Sequence, residues 1–318
     1  MLDLSVIRER IDQIDTKISS LFLERMEVTA DVAEFKRATG KPVFDRARER
    51  DNIKRAADRL PENLASYGAA LESLLMDASR SAQYARLGLK SELAQCVTTA
   101  LEEQPSRFPK EARVACLGIG DTQHAACDRL LRYASVSSFN SPEEVIDALE
   151  KGDCAFGVIP IESSDAGSLN AMYDLIVRHG FYIVRSCLIK LDRAPFADDE
   201  EEMLVISGPS LQSHEGAYTR YACITKELTI YPNSDRTSFV VTLPNVPGSL
   251  YQLLGTISAL GLNLVKLESR PVPNNNSVVL CYLDIACPVS APEFQTLLNV
   301  LGDTYEELRY LGSYAEVV

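Results

Sequence analysis

An apolar stripe that runs from Leu4 to Val32 without a helix breaker limits what this chain can become. Leu4, Ile7, Ile11, Ile14, Ile18, Leu21 and Phe22 recur at three- and four-residue steps, and Val28 and Val32 extend the row. The next breaker is Gly40, so the spacing predicts one helix of about 35 residues, longer than most globular helices. "GKPVFDRARERDNIKRAADRL" then holds a short turn and a second helix, and a third runs from about Glu62 to Arg86. Three helices with short connections suggest a bundle, yet they are too few to bury a stripe of that length within one chain.

After this segment the rhythm changes. A polar stretch ending "EEQPSRFPKEA" carries Pro105 and Pro109 and reads as a linker over 89–111. "ARVACLG", "SVSSF", "CAFGVIPIE" and "FYIVRSCLIKL" are short apolar runs alternating with helical segments such as "SPEEVIDALEKG". That alternation predicts a mostly parallel α/β sheet over 112–232, with sites at strand C-termini. From 233 to 318 the order becomes strand, helix, strand, strand, helix, strand, the βαββαβ plan of a ferredoxin-like α+β domain. The chain is therefore expected to be multidomain, with an all-α bundle over 1–88 at its head.

Bulk properties exclude several classes. No window approaches eighteen uninterrupted apolar residues, so no membrane span is expected. The start, "MLDLSVIRERID", lacks an apolar signal core, and a cytoplasmic location is expected. The net charge of −13 argues against nucleic acid as a partner. Eight cysteines, at 96, 116, 127, 154, 187, 223, 281 and 287, form no CxxC pair. Most sit in apolar runs such as "VVLCYLDIAC", where a thiol behaves as a small hydrophobe, so neither metal nor cofactor is expected.

In so acidic a chain, a local set of cations is informative. Arg25 follows Leu21 by four residues and Lys36 follows Val32 by four, so both flank the apolar stripe. They stand about 20° apart around the helix and roughly 16 Å along it. Arg8 lies roughly 25 Å from Arg25, so one small ligand reaches both only if Arg8 comes from a second, antiparallel copy. Asp45, Arg48 and Glu49 on the second helix, and Ser79 and Gln83 one turn apart on the third, complete the set. Taken singly, each cation could snorkel to solvent. Together, the stretches "IRERID", "LERMEVTADVAEFK", "GKPVFDRARERD" and "SRSAQ" make residues from Leu4 to about Leu87 resemble the all-helical chorismate mutase domain. The resemblance implies an intertwined dimer in which Arg8 of one copy joins Arg25 and Arg48 on the carboxylates of chorismate. It further implies Lys36 and Gln83 at the ether oxygen, Glu49 with Asp45 nearby at the ring hydroxyl, and Ser79 at the wall.

The C-terminal segment holds "PNVPGSL", a turn before a helix, and "LESRP" at the end of a strand. In a βαββαβ module these resemble the ACT domain in its phenylalanine-binding version. The resemblance implies that Asn245, Pro247, Gly248, Ser249 and Leu250 line an amino-acid pocket with Glu268, Ser269 and Arg270. Phenylalanine would then be a feedback effector.

The middle segment resembles prephenate dehydratase. "VIPIESSDAGSLNAMYDLI" matches the family's PIEN-S-x-x-G-x-(V/I)-x-x-x-x-D-L motif, and "AYTRYACI" matches its TRF motif, which makes Thr219 the expected hydroxyl donor with Arg220 beside it. Glu162, Ser163 and Thr122 fall at neighbouring family positions. Mutase, dehydratase and ACT in this order is the architecture of the bifunctional chorismate mutase/prephenate dehydratase family. Three departures stand out. The glycine-rich turn appears as "LGIGDTQHAA", short by about two residues and with Thr122 for a serine, and Ser163 replaces the motif's asparagine. Only about 27 residues lie between Leu191 and Thr219, where the family's whole second lobe belongs and where one βαβ unit alone needs about 30. The expected function is a feedback-regulated chorismate mutase making prephenate, acting as a homodimer or higher even oligomer, with lost or very low dehydratase turnover. A fully bifunctional enzyme whose neighbouring subunit supplies the second wall, and a non-catalytic phenylalanine-binding protein, are the alternatives.

Overall fold

The computed structural model describes residues 3–88, 90–164, 167–190, 217–272 and 275–317. These form two compact units. One contains the residues up to Gln95 together with Leu243–Gly261 and Pro292–Glu306; the other contains Cys96–Thr242, Leu262–Ala291 and the chain from Glu307 onward.

The helical unit begins with α1 (Leu4–Thr39), 36 residues long. Asp3 caps it by accepting from the Ser5 N–H, and Gly40, at φ 66°, ends it in the left-handed conformation that glycine adopts without strain. The stripe that set its length remains on the surface, with Leu4, Ile11, Ile14, Ile18 and Leu21 all between 48% and 63% exposed. Two more helices follow, α2 (Arg46–Asp58) and α3 (Glu62–Leu87), and α3 packs against both α1 and α2. Two helices from late in the chain, α8 (Ser249–Ala259) and α9 (Pro292–Thr304), also rest on α3.

The polar stretch expected to be a linker contains a helix, α4 (Glu92–Glu102). Ala94, Val97 and Ala100 are buried, a three-residue apolar spacing with small side chains that the flanking prolines and charges obscure. Ser91 precedes it, its N–H donating to Asn299 Oδ1 at 2.7 Å and its hydroxyl to the Leu298 carbonyl at 3.1 Å.

The second unit is built on one mixed sheet. Its strands are β1 (Glu111–Leu117), β2 (Tyr133–Phe139), β3 (Phe156–Ser163), the short β4 (Gly167–Ser168), β5 (Tyr182–Lys190), β6 (Tyr218–Thr225), β7 (Arg236–Pro244), β8 (Asn263–Val272), β9 (Asn275–Ala286) and β10 (Leu308–Val317). They lie in the order β2-β1-β3-β6-β5-β10-β7-β9-β8, with β4 on β3. The expectation of a mostly parallel sheet needs correction. β1 runs parallel to β2 and β3, but β6 enters between β3 and β5 antiparallel to both. Strand direction is set by the pairing partners, which the strand–helix alternation of the sequence does not specify. The acidic and apolar runs "APFADDEEE" and "EMLVISGPSLQSH", in the gap noted between Leu191 and Thr219, lie outside the described residues.

Helices cover both faces. α6 (Pro142–Glu150) and α7 (Asn170–His179) bring Val145, Ile146, Leu149, Tyr173 and Ile176 onto the face that carries Ile159, Ile161, Ala222 and Ile224. On the other face, α5 (Asp121–Leu130) packs Ala126, Cys127 and Leu130 against Val158, Tyr221 and Cys223. All eight cysteines are free thiols and seven are buried, in keeping with packing. No helix among the described residues is long and apolar enough to cross a membrane.

Candidate functional site

Seven of the eight residues expected at a mutase site meet in one cavity of about 240 Å3 within the helical unit. α1 supplies Arg25 and Lys36; the head of α2 supplies Asp45, Arg48 and Glu49; α3 supplies Ser79 and Gln83. Val32, Phe35, Val43 and Met76 form the apolar part of the wall. Arg8, seventeen residues before Arg25 on the same helix, does not line it.

Each side chain is held by local structure. Arg25 lies across α3, its Nη1 donating to the Leu75 carbonyl at 3.0 Å and to the Ser79 hydroxyl. Ser79 in turn donates to the Leu75 carbonyl at 2.8 Å, so it serves as a strut for the guanidinium. Lys36 donates to the Val43 carbonyl, which ties the end of α1 to the segment before α2. Asp45 caps α2 by accepting from the Arg48 N–H at 3.1 Å, so one of its oxygens is committed to the backbone. Gln83 is 5% exposed; its amide donates to the Ser79 carbonyl at 3.2 Å, and its Oε1 has no hydrogen-bond partner among the described residues.

The electrostatics favour a small anion. Arg25, Lys36, Lys41, Arg48 and Arg80 line the cavity against Asp45 and Glu49, in a chain that is strongly acidic overall. Burial lowers the pKa of the Lys36 ammonium, as do the charges of Arg48 and Arg80, while Glu49 and Asp45 oppose them. Burial raises the Glu49 carboxyl, against the opposing charge of Arg80. Arg80 was not among the expected residues. Its Nη1 bonds Glu49 Oε2 at 2.8 Å, its other end bonds Asp77, and its guanidinium lies 4.9 Å from the centre of the Phe44 ring. The quoted stretch "SRSAQ" contained it, and its spacing of three from Asp77 was the available signal.

The second group of expected residues sits on the sheet. Ser163 on β3 is the register partner of Thr219 on β6, and Glu162 is the partner of Arg220. Successive strand residues point to opposite faces, so Thr219 shares the α5 face with Tyr221 while Arg220 shares the α6–α7 face with Ala222. The Tyr221 hydroxyl donates to Thr122 Oγ1 at 3.4 Å, which brings Thr122 to the Thr219 side. Arg220 is occupied elsewhere, pairing with Glu162 at 3.2 Å and with Glu316 of β10. The five residues are thus divided between two faces rather than gathered on one.

The third group is split between the units. Asn245, Pro247, Gly248, Ser249 and Leu250 form the turn that opens α8, with Gly248 at φ 92°. Glu268, Ser269 and Arg270 lie on β8, at the edge of the sheet in the other unit. Ser269 is exposed, whereas Glu268 and Arg270 fall on the half-buried face. Arg270 is already engaged, pairing with Asp174 of α7 at 2.9 Å and lying 4.3 Å from the Tyr282 ring centre. Burial pushes the Asp174 carboxyl up, but hydrogen bonds from Arg270 and Tyr282 outweigh it and hold the group below the usual carboxylate value.

Comparison with known proteins finds two family models that match parts of this chain. Residues 7–84 match the family model described as chorismate mutase type II, and residues 114–207 match that of prephenate dehydratase. The sequence is similar to the bifunctional chorismate mutase/prephenate dehydratase of Escherichia coli (strain K12), at 22% identity over 382 positions covering 98% of this chain and 96% of that protein. In fold it is similar to the prephenate dehydratase of Streptococcus mutans, with a TM-score of 0.50 and 23% identity over 65% of this chain and 99% of that one. It is also similar to a prephenate dehydratase from Arthrobacter aurescens solved in complex with L-Phe, with a TM-score of 0.50 and 19% identity over 64% of this chain and 90% of that one.

Proposed function

Because this chain carries a type II chorismate mutase domain followed by a prephenate dehydratase domain, we propose that it is a working chorismate mutase whose dehydratase domain turns over weakly or not at all. The observation that carries the mutase reading is the meeting of Arg25, Lys36, Arg48, Glu49 and Gln83 around one cavity. The rearrangement of chorismate to prephenate is pericyclic, so it asks for no nucleophile. It asks for a flexible dianion folded into its reactive conformer, which the Arg25 and Arg48 guanidiniums can grip by its carboxylates. It also asks for stabilisation of the charge that grows on the breaking ether oxygen. The Lys36 ammonium and the Gln83 amide are the donors for that role, and Glu49 accepts from the ring hydroxyl.

The exposed stripe of α1 supports an intertwined homodimer or a higher even oligomer, in which a second copy covers the stripe and lends its Arg8 to the site. The arithmetic of a straight helix, roughly 25 Å between Arg8 and Arg25, leaves no other way for both to reach one ligand.

For the dehydratase, the departures at Thr122 and Ser163 are joined by the engagement of Arg220 with two carboxylates. The alignment with the E. coli protein runs over 382 positions against the 318 residues here, so at least 64 of its positions have no counterpart in this chain. Threonine is a weak acid and assists a leaving hydroxyl only in a preorganised, water-excluding site. A single wall does not supply one.

The βαββαβ order and the L-Phe bound by the Arthrobacter relative support an ACT-type regulatory domain that senses phenylalanine. The test is direct. Purified chain given chorismate should produce prephenate, and added phenylalanine should slow it. Lys36→Ala should lower kcat by about 100- to 1,000-fold, the scale of losing one oxyanion donor. Full turnover by that variant at saturating chorismate would overturn the site assignment.

A further inference from the structure

Arg80 has a place at the mutase cavity that the expected set of residues leaves unassigned. Its side chain is 4% exposed, so its charge must be met within the protein. One arm meets Glu49 at 2.8 Å and the other meets Asp77. Its Nε lacks a hydrogen-bond partner among the described residues. The free Oδ2 of Asp77 accepts a 2.7 Å hydrogen bond from the hydroxyl of Thr256, a residue of α8 that is 6% exposed. Three polar contacts therefore join α8 to Glu49, all within the helical unit.

We infer that Arg80 is a positioning residue for the rearrangement, fixing the Glu49 carboxylate at the cavity wall, and that Thr256 sets Arg80 through Asp77. The inference rests on the mutase reading and extends it. Glu49 can accept from a ring hydroxyl only as a carboxylate in a fixed orientation. Lys36 on α1, Asp45 at the head of α2, and Asp77 and Arg80 on α3 are the charged groups that act on it. Burial drives its carboxyl toward the protonated form, and Arg80 is the strongest influence in the other direction. Asp303 of α9 is near enough to feel the charge of Arg80, and burial pushes its own carboxyl up against that charge. A planar fork is what allows one cation to hold Glu49 and Asp77 at once, and a lysine ammonium cannot reproduce that geometry.

The experiment is a pH profile of kcat/KM for chorismate in the wild-type chain and in Arg80→Ala, Arg80→Lys and Thr256→Val. Arg80→Ala should move the acid limb upward by about one to three pH units, the scale of losing an adjacent opposite charge. Arg80→Lys should restore part of that shift. Thr256→Val leaves every cavity residue in place and should raise KM by about two- to tenfold, the worth of one hydrogen bond. If Arg80→Ala fails to fold, the other two variants decide. Wild-type profiles and KM values in both Arg80→Lys and Thr256→Val would overturn this inference while leaving the mutase reading intact. A wild-type chain that does not convert chorismate would overturn the mutase reading, and this inference with it.

Discussion

Lys36 can stabilise the departing ether oxygen only while it is an ammonium. Burial lowers its pKa below the ordinary 10.5, with Arg48 and Arg80 acting in the same direction. The charged form is therefore lost earlier as pH rises, and kcat/KM, which reports the free enzyme, should fall on the alkaline side below the usual lysine range. A flat profile through that range would separate Lys36 from the chemistry. At this scale much of the site could be read from the sequence, because Arg25, Lys36, Arg48, Glu49 and Gln83 fall on helical faces whose spacing is fixed by the 3.6-residue turn. Arg80 could not be read so easily. On α3 it lies one position beyond Ser79, where an arginine looks like a solvent-facing residue until Glu49 and Asp77 are seen beside it. The pairing of Arg220 was equally hidden, since strand alternation turns it away from Thr219 and toward Glu162.

Among the elements, α1 makes the clearest demand. Its leucines and isoleucines are about half exposed, and covering the remainder is worth on the order of 1 kcal/mol each, so the stripe as a whole favours a second copy. Ile14→Glu should convert the protein to a monomer by light scattering and abolish mutase turnover with it. A wild-type chain that is monomeric and fully active would remove the need for Arg8 from a partner. A second test concerns the junction of β10 with β5. Gly312 sits at φ 133°, and a Cβ there would lie 2.1 Å from the Ile183 carbonyl oxygen. Gly312→Ala should cost about 1–3 kcal/mol or more in urea unfolding, since both the backbone angle and the contact oppose it. The long helices and the βαββαβ order were legible because their apolar periods run for many residues. α4 was not, because its buried face is made of Ala94, Val97 and Ala100 between charged and proline-rich flanks. The antiparallel entry of β6 was not either, since strand direction is set by pairing partners and leaves no mark in local pattern.

For the whole molecule, the proposed function amounts to a mutase site that works beside a dehydratase-like region that turns over weakly or not at all. The cavity in the helical unit gathers its cations at one place, while Thr122, Ser163 and Thr219 stand on a face opposite to that of Glu162 and Arg220. The measurement that separates the two sites follows both products in one reaction. The purified protein is given chorismate, and prephenate and phenylpyruvate are quantified over the same time course. The account predicts rapid accumulation of prephenate with little or no phenylpyruvate. Phenylpyruvate formed at a rate comparable with that of prephenate would contradict it.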